Sequence, residues 1–176
     1  GVFYEAANFA VVRGLKILFV CENNFFSVYS SMSCRQPQNR KIADLARAIG
    51  LKSYQTNGYN LKACSETLEH AVSHVRAGDG PAFVEASTYR YREHCGPNYD
   101  NDIGYRAVTE YEEWQKNDPL VWLRADILKS RDNGCALVAG VEKRVKNEVL
   151  NAFNFALASS FPDSQRAFEG VYSKRL

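Results

Sequence analysis

Between Leu15 and Cys21 the chain reads LKILFVC, bounded by Gly14 on one side and Glu22-Asn23-Asn24 on the other. A short apolar run rich in β-branched and aromatic residues between turn formers reads as a strand buried on both faces, the kind found in parallel sheets. Parallel strands need crossover connections, so helices must flank it. The neighbouring segments supply them. Phe3 to Arg13 has apolar residues at helical spacing, with Gly14 placed to end the turn. Lys41–Ile49 is amphipathic and stops at Gly50, and Ser53–Thr56 suits a short strand turned by Asn57-Gly58. Asn60 stands at an N-cap position before a helix over Leu61–Ala77, closed by Gly78. Ala82–Arg90 alternates like a strand. Helices are expected over Thr109–Asn117, over Pro119–Lys129 with Asp118 as cap, and over Glu142–Ser159.

This order places the chain in the α/β class, with a mostly parallel sheet flanked by helices. Residues 1–176 are expected to form a single domain, about 1–106 as the α/β part and about 107–176 as a helical extension. The helical pattern is already running at Gly1-Val2-Phe3-Tyr4, so an N-terminal portion is expected ahead of it.

Composition narrows the function classes. Twenty-two Lys+Arg against 20 Asp+Glu leave a net charge of +2 over 176 residues, too weak a field for a nucleic-acid or acidic-membrane partner. No apolar run approaches the roughly 20 residues of a membrane span. The five cysteines are odd in number and lack CxxC spacing, which points to a reducing compartment rather than a disulfide framework.

Several residues carry chemistry. Asn23-Asn24 follows the first strand, and ligands in open α/β sheets gather beyond the carboxyl ends of strands. A carboxamide oxygen there, with a loop carbonyl, suits magnesium beside phosphate oxygens, although two good turn formers in a row favour a plain turn on spacing alone. Tyr91–Gly104 is a long loop without hydrophobic period, and such loops in compact domains are usually functional. It holds His94, which can donate to phosphate or move a proton near neutral pH, or simply sit in solvent. Adjacent Cys95 is not placed to form a dyad with it. Arg90, Arg92 and Arg106 flank the loop and either bind an anion or tie the loop down through Asp100 and Asp102. His70 and His74 share a helix face but lack a third ligand, and Gly78-Asp79-Gly80 is an ordinary turn.

GVFYEAAN at the start and LKILFVCENN (15–24) resemble the alpha subunit of the thiamine-diphosphate-dependent first component of 2-oxo acid dehydrogenase complexes. The likeness continues through ADLARAIGL, TNGYNL, RAGDGP, AFVEASTYRYREH, Tyr105-Arg106, EEWQKNDPL and PDSQRAFEGVYS. In that family a Gly-Asp-Gly motif and a later Asn pair enclose a magnesium ion that holds the cofactor's diphosphate. The closing Asn matches Asn24, and a main-chain carbonyl two residues on falls at Phe26. The opening Gly-Asp-Gly would precede Gly1; Gly78-Asp79-Gly80 lies on the wrong side of Asn24 to replace it. The histidine ending the Tyr-Arg-Tyr-x-x-His stretch matches His94, here the expected catalytic and diphosphate-contacting residue. Cys95 stands where some members carry a regulatory serine.

The resemblance implies part of a thiamine-diphosphate-binding fold, the C-terminal portion of an alpha chain with thiamine diphosphate and magnesium as cofactors. It also implies a beta subunit completing the site, a lipoyl-bearing acyltransferase receiving the acyl group, and a small 2-oxo acid as substrate in an oxidative decarboxylation. The 176 residues by themselves are expected to be inactive and to associate with a partner. The expected place is bacterial cytoplasm, or the mitochondrial matrix in a eukaryote. Two other functions compete: a non-catalytic interaction or assembly fragment, and a free-standing thiamine enzyme with another acceptor.

Overall fold

The computed structural model describes Gly1–Gly170, so the Val171–Ser173 end of the PDSQRAFEGVYS stretch lies outside the described residues. The chain divides into two compact units, Gly1–Leu123 and Arg124–Leu176.

The first unit is built on three six-residue parallel strands: β1 (Leu18–Asn23), β4 (Lys52–Asn57) and β5 (Ala82–Ser87), ordered β1-β5-β4. β2 (Phe26–Ser27) and β3 (Ser30–Ser31) form a small hairpin after β1. The three strands run in step: Leu18 and Lys52 flank Ala82, while Asn23 and Asn57 flank Ser87. Three polar residues therefore meet at one carboxyl edge. Helices α1 (Val2–Val12), α2 (Ile42–Ile49) and α3 (Leu61–Ala77) cover the sheet, giving the expected α/β class with a parallel sheet flanked by helices.

The core explains how closely the layers approach. Ala7 of α1 and Ala43 and Ala46 of α2 are fully buried beside Leu51 and Phe83, with Phe3, Phe19 and Ile49 packed around them. Alanine at the contact positions lets the helix backbones sit low on the sheet. Because strand side chains alternate, Ala82, Val84 and Ala86 face the opposite way, toward α3 with its buried Ala71 and Val75. Both faces of the central strand are thus covered by helices, as its place in a parallel sheet requires.

Helix ends follow their local signals. Asn60 accepts from the Ala63 N–H at 3.0 Å as N-cap of α3, and Gly50 ends α2 in the left-handed conformation at φ 110°. Elsewhere the boundaries differ from the sequence reading. The first strand is displaced toward its carboxyl end, to 18–23, because Leu15 closes α1 through its N–H to the Ala10 carbonyl. The third strand stops at Ser87, short of Arg90. The polar stretch after β1 contains the β2–β3 hairpin and a 3-10 turn over Met32–Cys34. Finally, the last long helix starts well before Glu142.

That helix belongs to the second unit. α4 (Val108–Lys116) and the start of α5 (Pro119–Ser130) close the first unit, and α6 (Gly134–Ala158) dominates the second. α6 begins at Gly134, where a Cβ would lie 2.6 Å from the Ile127 carbonyl oxygen. Only glycine lets the two helices turn so tightly. The glycines at 134 and 140, which argue against a helix locally, are carried by the Ala, Leu and Val around them. Arg124 and Glu142 form an ion pair within this unit. No described helix is long and apolar enough to cross a membrane.

Candidate functional site

The carboxyl edge of the sheet is where polar groups collect. Asn23 closes β1, is 7% exposed, and points its side chain inward. Its Nδ2 donates to Glu85 Oε1 at 2.8 Å, and its Oδ1 accepts from the Phe25 N–H at 3.0 Å. Asn24 lies one residue past the strand and repeats the second motif, its Oδ1 accepting from the Phe26 N–H at 3.0 Å. Two consecutive Asx turns thus fold the chain immediately beyond β1. Between them Phe25 adopts φ 63°, and Val28 adopts φ 55° in the hairpin turn. Left-handed backbone is uncommon for non-glycine residues and most strained for β-branched ones. The Val28 carbonyl accepts from Arg90 at 3.1 Å, which anchors the hairpin tip to the segment after β5.

In sequence Asn23 and Asn24 are a pair of equals. The structure separates them: Asn23 is an interior bracket and Asn24 the residue presented beyond the strand. A cavity of about 410 Å³ opens at this edge, lined by Asn23, Phe25, Arg40, Lys41, Thr56 and Ser87 among others. A smaller one of about 160 Å³ adjoins it and includes Phe26. Asn24 and His94 line neither.

Glu85 is a site residue that sequence reasoning missed. It is 7% exposed on the central strand, and its carboxylate accepts from Asn23, from the Ala43 N–H at 2.9 Å and from Gln55 Nε2 at 3.1 Å. In sequence it is only the polar member of an alternating strand. A polar residue in a strand expected to lie in a parallel sheet was the available signal, since both faces there should be apolar. Burial, followed by the charges of Glu85 and Glu22, pushes the Cys21 thiol pKa up, and Cys21 packs against the core cluster.

The long loop after β5 is held at both ends by one carboxylate. Asp100, 1% exposed, accepts from Arg106 at 2.7 Å, from Arg90 at 3.4 Å and from the Tyr105 hydroxyl at 2.9 Å. Arg106 also donates to the Arg90 carbonyl and lies against the faces of Tyr89, Tyr105 and Tyr111. Of the two readings open for the arginines, loop fastening is the one observed for Arg90 and Arg106. Asp102 is exposed and takes no part. Arg92 donates to the Pro97 carbonyl and stacks on Tyr99 within the loop. Desolvation lifts the Tyr89 hydroxyl pKa to about 12 and raises those of Tyr59, Tyr91 and Tyr105, the mark of an aromatic cluster that excludes water.

His94 sits on this fastened loop and is exposed, free to meet a ligand. Asn24 and Phe26 lie at the neighbouring strand end, and the Phe26 ring meets Tyr105 of the loop base edge-on at 5.5 Å between centroids. A carboxamide oxygen and a main-chain carbonyl are the hard, neutral donors that magnesium accepts alongside phosphate oxygens. Among the described residues no cluster of three His, Cys, Asp or Glu side chains is placed to hold a metal ion. His70 and His74 show no metal face; His74 instead approaches Asp79 at 3.8 Å.

Residues 1–165 match the family described as the dehydrogenase E1 component. The chain is 31% identical over 172 residues to the pyruvate dehydrogenase E1 component subunit alpha of Rickettsia conorii, covering 98% of this chain and 52% of that protein. It is 30% identical over 178 residues to the 2-oxoisovalerate dehydrogenase subunit alpha of Bacillus subtilis, covering 99% and 52%. A chloroplastic pyruvate dehydrogenase E1 component subunit alpha-3 from Arabidopsis thaliana is 29% identical over 173 residues, covering 98% and 40%. The chain spans about half the length of the curated relatives it matches.

Proposed function

Because the chain belongs to the dehydrogenase E1 component family, we propose that it forms the C-terminal portion of an alpha subunit of a 2-oxo acid dehydrogenase and there holds the magnesium-bound diphosphate of thiamine diphosphate. The observation that carries this reading is the pair of Asx turns, which presents the Asn24 carboxamide and the Phe26 backbone together just beyond β1. Asn24 Oδ1 and the Phe26 carbonyl would ligate magnesium. His94, exposed on a loop whose base is clamped by Asp100, would donate to the diphosphate and help order the loop. Thiamine diphosphate, when bound, supplies the decarboxylating chemistry; the chain supplies grip, orientation and a neutral metal site.

The remaining parts come from partners. A beta subunit would complete the site, a lipoyl-bearing acyltransferase would take the acyl group, and a small 2-oxo acid would be the substrate. The exposed apolar residues of α6, among them Val149, Phe153 and Leu157, are compatible with a chain that works in an assembly. The expected compartment is bacterial cytoplasm or the mitochondrial matrix, and the chloroplastic relative adds a plastid.

The test is calorimetric titration of the full-length alpha chain, assembled with its beta partner, with thiamine diphosphate in the presence and absence of magnesium. Magnesium-dependent binding is expected, weakened at least tenfold by Asn24→Ala and also weakened by His94→Ala. Residues 1–176 without that assembly should show no measurable affinity. Unchanged affinity in Asn24→Ala would remove Asn24 as a ligand, and no magnesium-dependent binding in the wild-type assembly would favour the assembly-fragment alternative.

A further inference from the structure

We infer that Glu85 is the positioning residue for the turn that presents Asn24 and Phe26, an inference that rests on the reading of those two residues just given. Glu85 touches neither proposed ligand. Its carboxylate instead joins three elements: β1 through Asn23, the first turn of α2 through the Ala43 N–H, and β4 through Gln55, directly opposite it in the register. Both oxygens are engaged, Oε1 by Asn23 and Oε2 by the other two. Although Glu85 lines the larger cavity, its acceptor capacity is used inside the protein.

The consequence for the loop is one of polarity. A carboxylate can only accept, so it must face the NH₂ end of the Asn23 amide. The carboxamide oxygen then has one direction left, toward the Phe25 N–H, which it meets at 3.0 Å. That bond, with the Met32 N–H on the Phe25 carbonyl at 2.7 Å on the other side, holds Phe25 at φ 63°. A left-handed phenylalanine persists only where its surroundings over-determine it. The reversal at Phe25 swings Phe26 back so that its N–H reaches Asn24. Glu85 therefore orients Asn23, Asn23 holds Phe25, and Phe25 sets the ligand pair.

The chain of polarity can be reversed without changing its shape. Asn23→Asp sets two carboxylates against each other. Glu85→Gln must turn an NH₂ either against the Asn23 NH₂ or against the Ala43 and Gln55 donors. The double variant Asn23→Asp/Glu85→Gln restores the bonds around position 85 and the one to Phe25, losing only the long Asn23 Nδ2–Met32 Sδ contact at 3.8 Å. The amide introduced at position 85 donates to the carboxylate introduced at position 23, whose other oxygen still accepts from the Phe25 N–H. The oxygen of that amide in turn accepts from Ala43 and Gln55. Total charge is the same.

Two measurements test this. Amide hydrogen exchange in the ligand-free chain reads the peptide spanning 24–31 against α3 as an internal standard. Calorimetry on the full-length alpha chain assembled with its beta partner reads magnesium-dependent affinity for thiamine diphosphate. Each single variant should exchange at 24–31 at least tenfold faster with α3 unchanged, and bind at least tenfold more weakly. The double variant should return to within threefold of wild type in both, an outcome a merely packed residue would not produce. Asn23→Ala, which removes the oxygen without introducing charge repulsion, should loosen the same peptide and keeps the test available if a charged variant does not fold. Wild-type exchange at 24–31 in Asn23→Ala, or a folded double variant as loose as the singles, would overturn the inference. If Asn24→Ala keeps full cofactor affinity while the exchange pattern is as expected, it is the ligand reading that fails and not the positioning.

Discussion

Replacing Asp100 by alanine tests whether one buried carboxylate fastens the loop that carries His94. The side chains of Asp100 and Arg106 are 1% and 2% exposed, so the substitution strands a guanidinium in the interior. Removing one partner of a buried pair costs about 3–5 kcal/mol. Arg106 keeps the Arg90 carbonyl at 2.6 Å and Asn101 Oδ1 at 3.1 Å as acceptors, and three tyrosine rings still surround it. These place the cost at the lower end, about 3 kcal/mol, or a fall in Tm of about 6–12 °C for a chain of this length. Asp100→Asn preserves an acceptor without the charge and should cost about half as much. Asp102→Ala is the control: it is exposed, and such changes stay within about 0.5 kcal/mol. Urea unfolding followed by far-ultraviolet circular dichroism measures all three. A cost below about 1 kcal/mol for Asp100→Ala, or an Asp102→Ala variant as damaged as it, would refute the argument that the buried pair fastens the loop.

Alkaline titration addresses the aromatic cluster. Burial raises the pKa of Tyr89 to about 12 and lifts Tyr59, Tyr91 and Tyr105 above the ordinary 10.0. A raised folded-state pKa means the native protein holds these protons more tightly, so their contribution is complete below about pH 10 and is lost as pH climbs through the folded values. Absorbance in the near ultraviolet should show these tyrosines ionising later than in urea, and stability should fall from about pH 10 upward; one native step near the unfolded value would contradict it. Gly58→Ala probes the carboxyl edge of the sheet. Its Cβ would lie 2.8 Å from the Ser87 carbonyl oxygen, the same atom that accepts the Gly58 N–H. Backbone must move, at a cost of about 1–3 kcal/mol, and an unshifted thermal midpoint would show that the edge yields freely.

What was legible in the sequence is what depends on near neighbours. Asn60 and Asp118 announce helix starts because their side chains reach backbone N–H groups two or three residues on, and Gly50 and Gly78 announce stops because left-handed backbone favours glycine. The apolar run at 15–21 located a strand to within about three residues, an ordinary boundary error, but not its burial: β1 lies at the edge of the three-stranded sheet, with Val20 52% exposed. The proposal that Asn24, Phe26 and His94 meet a magnesium diphosphate comes from the resemblance carried by ENN and TYRYREH, since no spacing rule links them to one. The early start of α6 was obscured by Gly134, whose reason is a contact with Ile127 that local propensity does not register.

By itself, then, the amino-acid order determined the α/β class, most helix ends and the family. Only the tertiary structure decided which of Asn23 and Asn24 faces inward, which of Asp100 and Asp102 fastens the loop, and that Glu85 matters at all. In each case two chemically similar residues stand one or two positions apart, or one polar residue sits in a strand, and local pattern treats them alike. They differ in which groups from distant segments surround them. Asn23 meets Glu85 across 62 positions and Ala43 meets it across 42, and a carboxylate's worth depends on whether such donors reach it after water has been excluded.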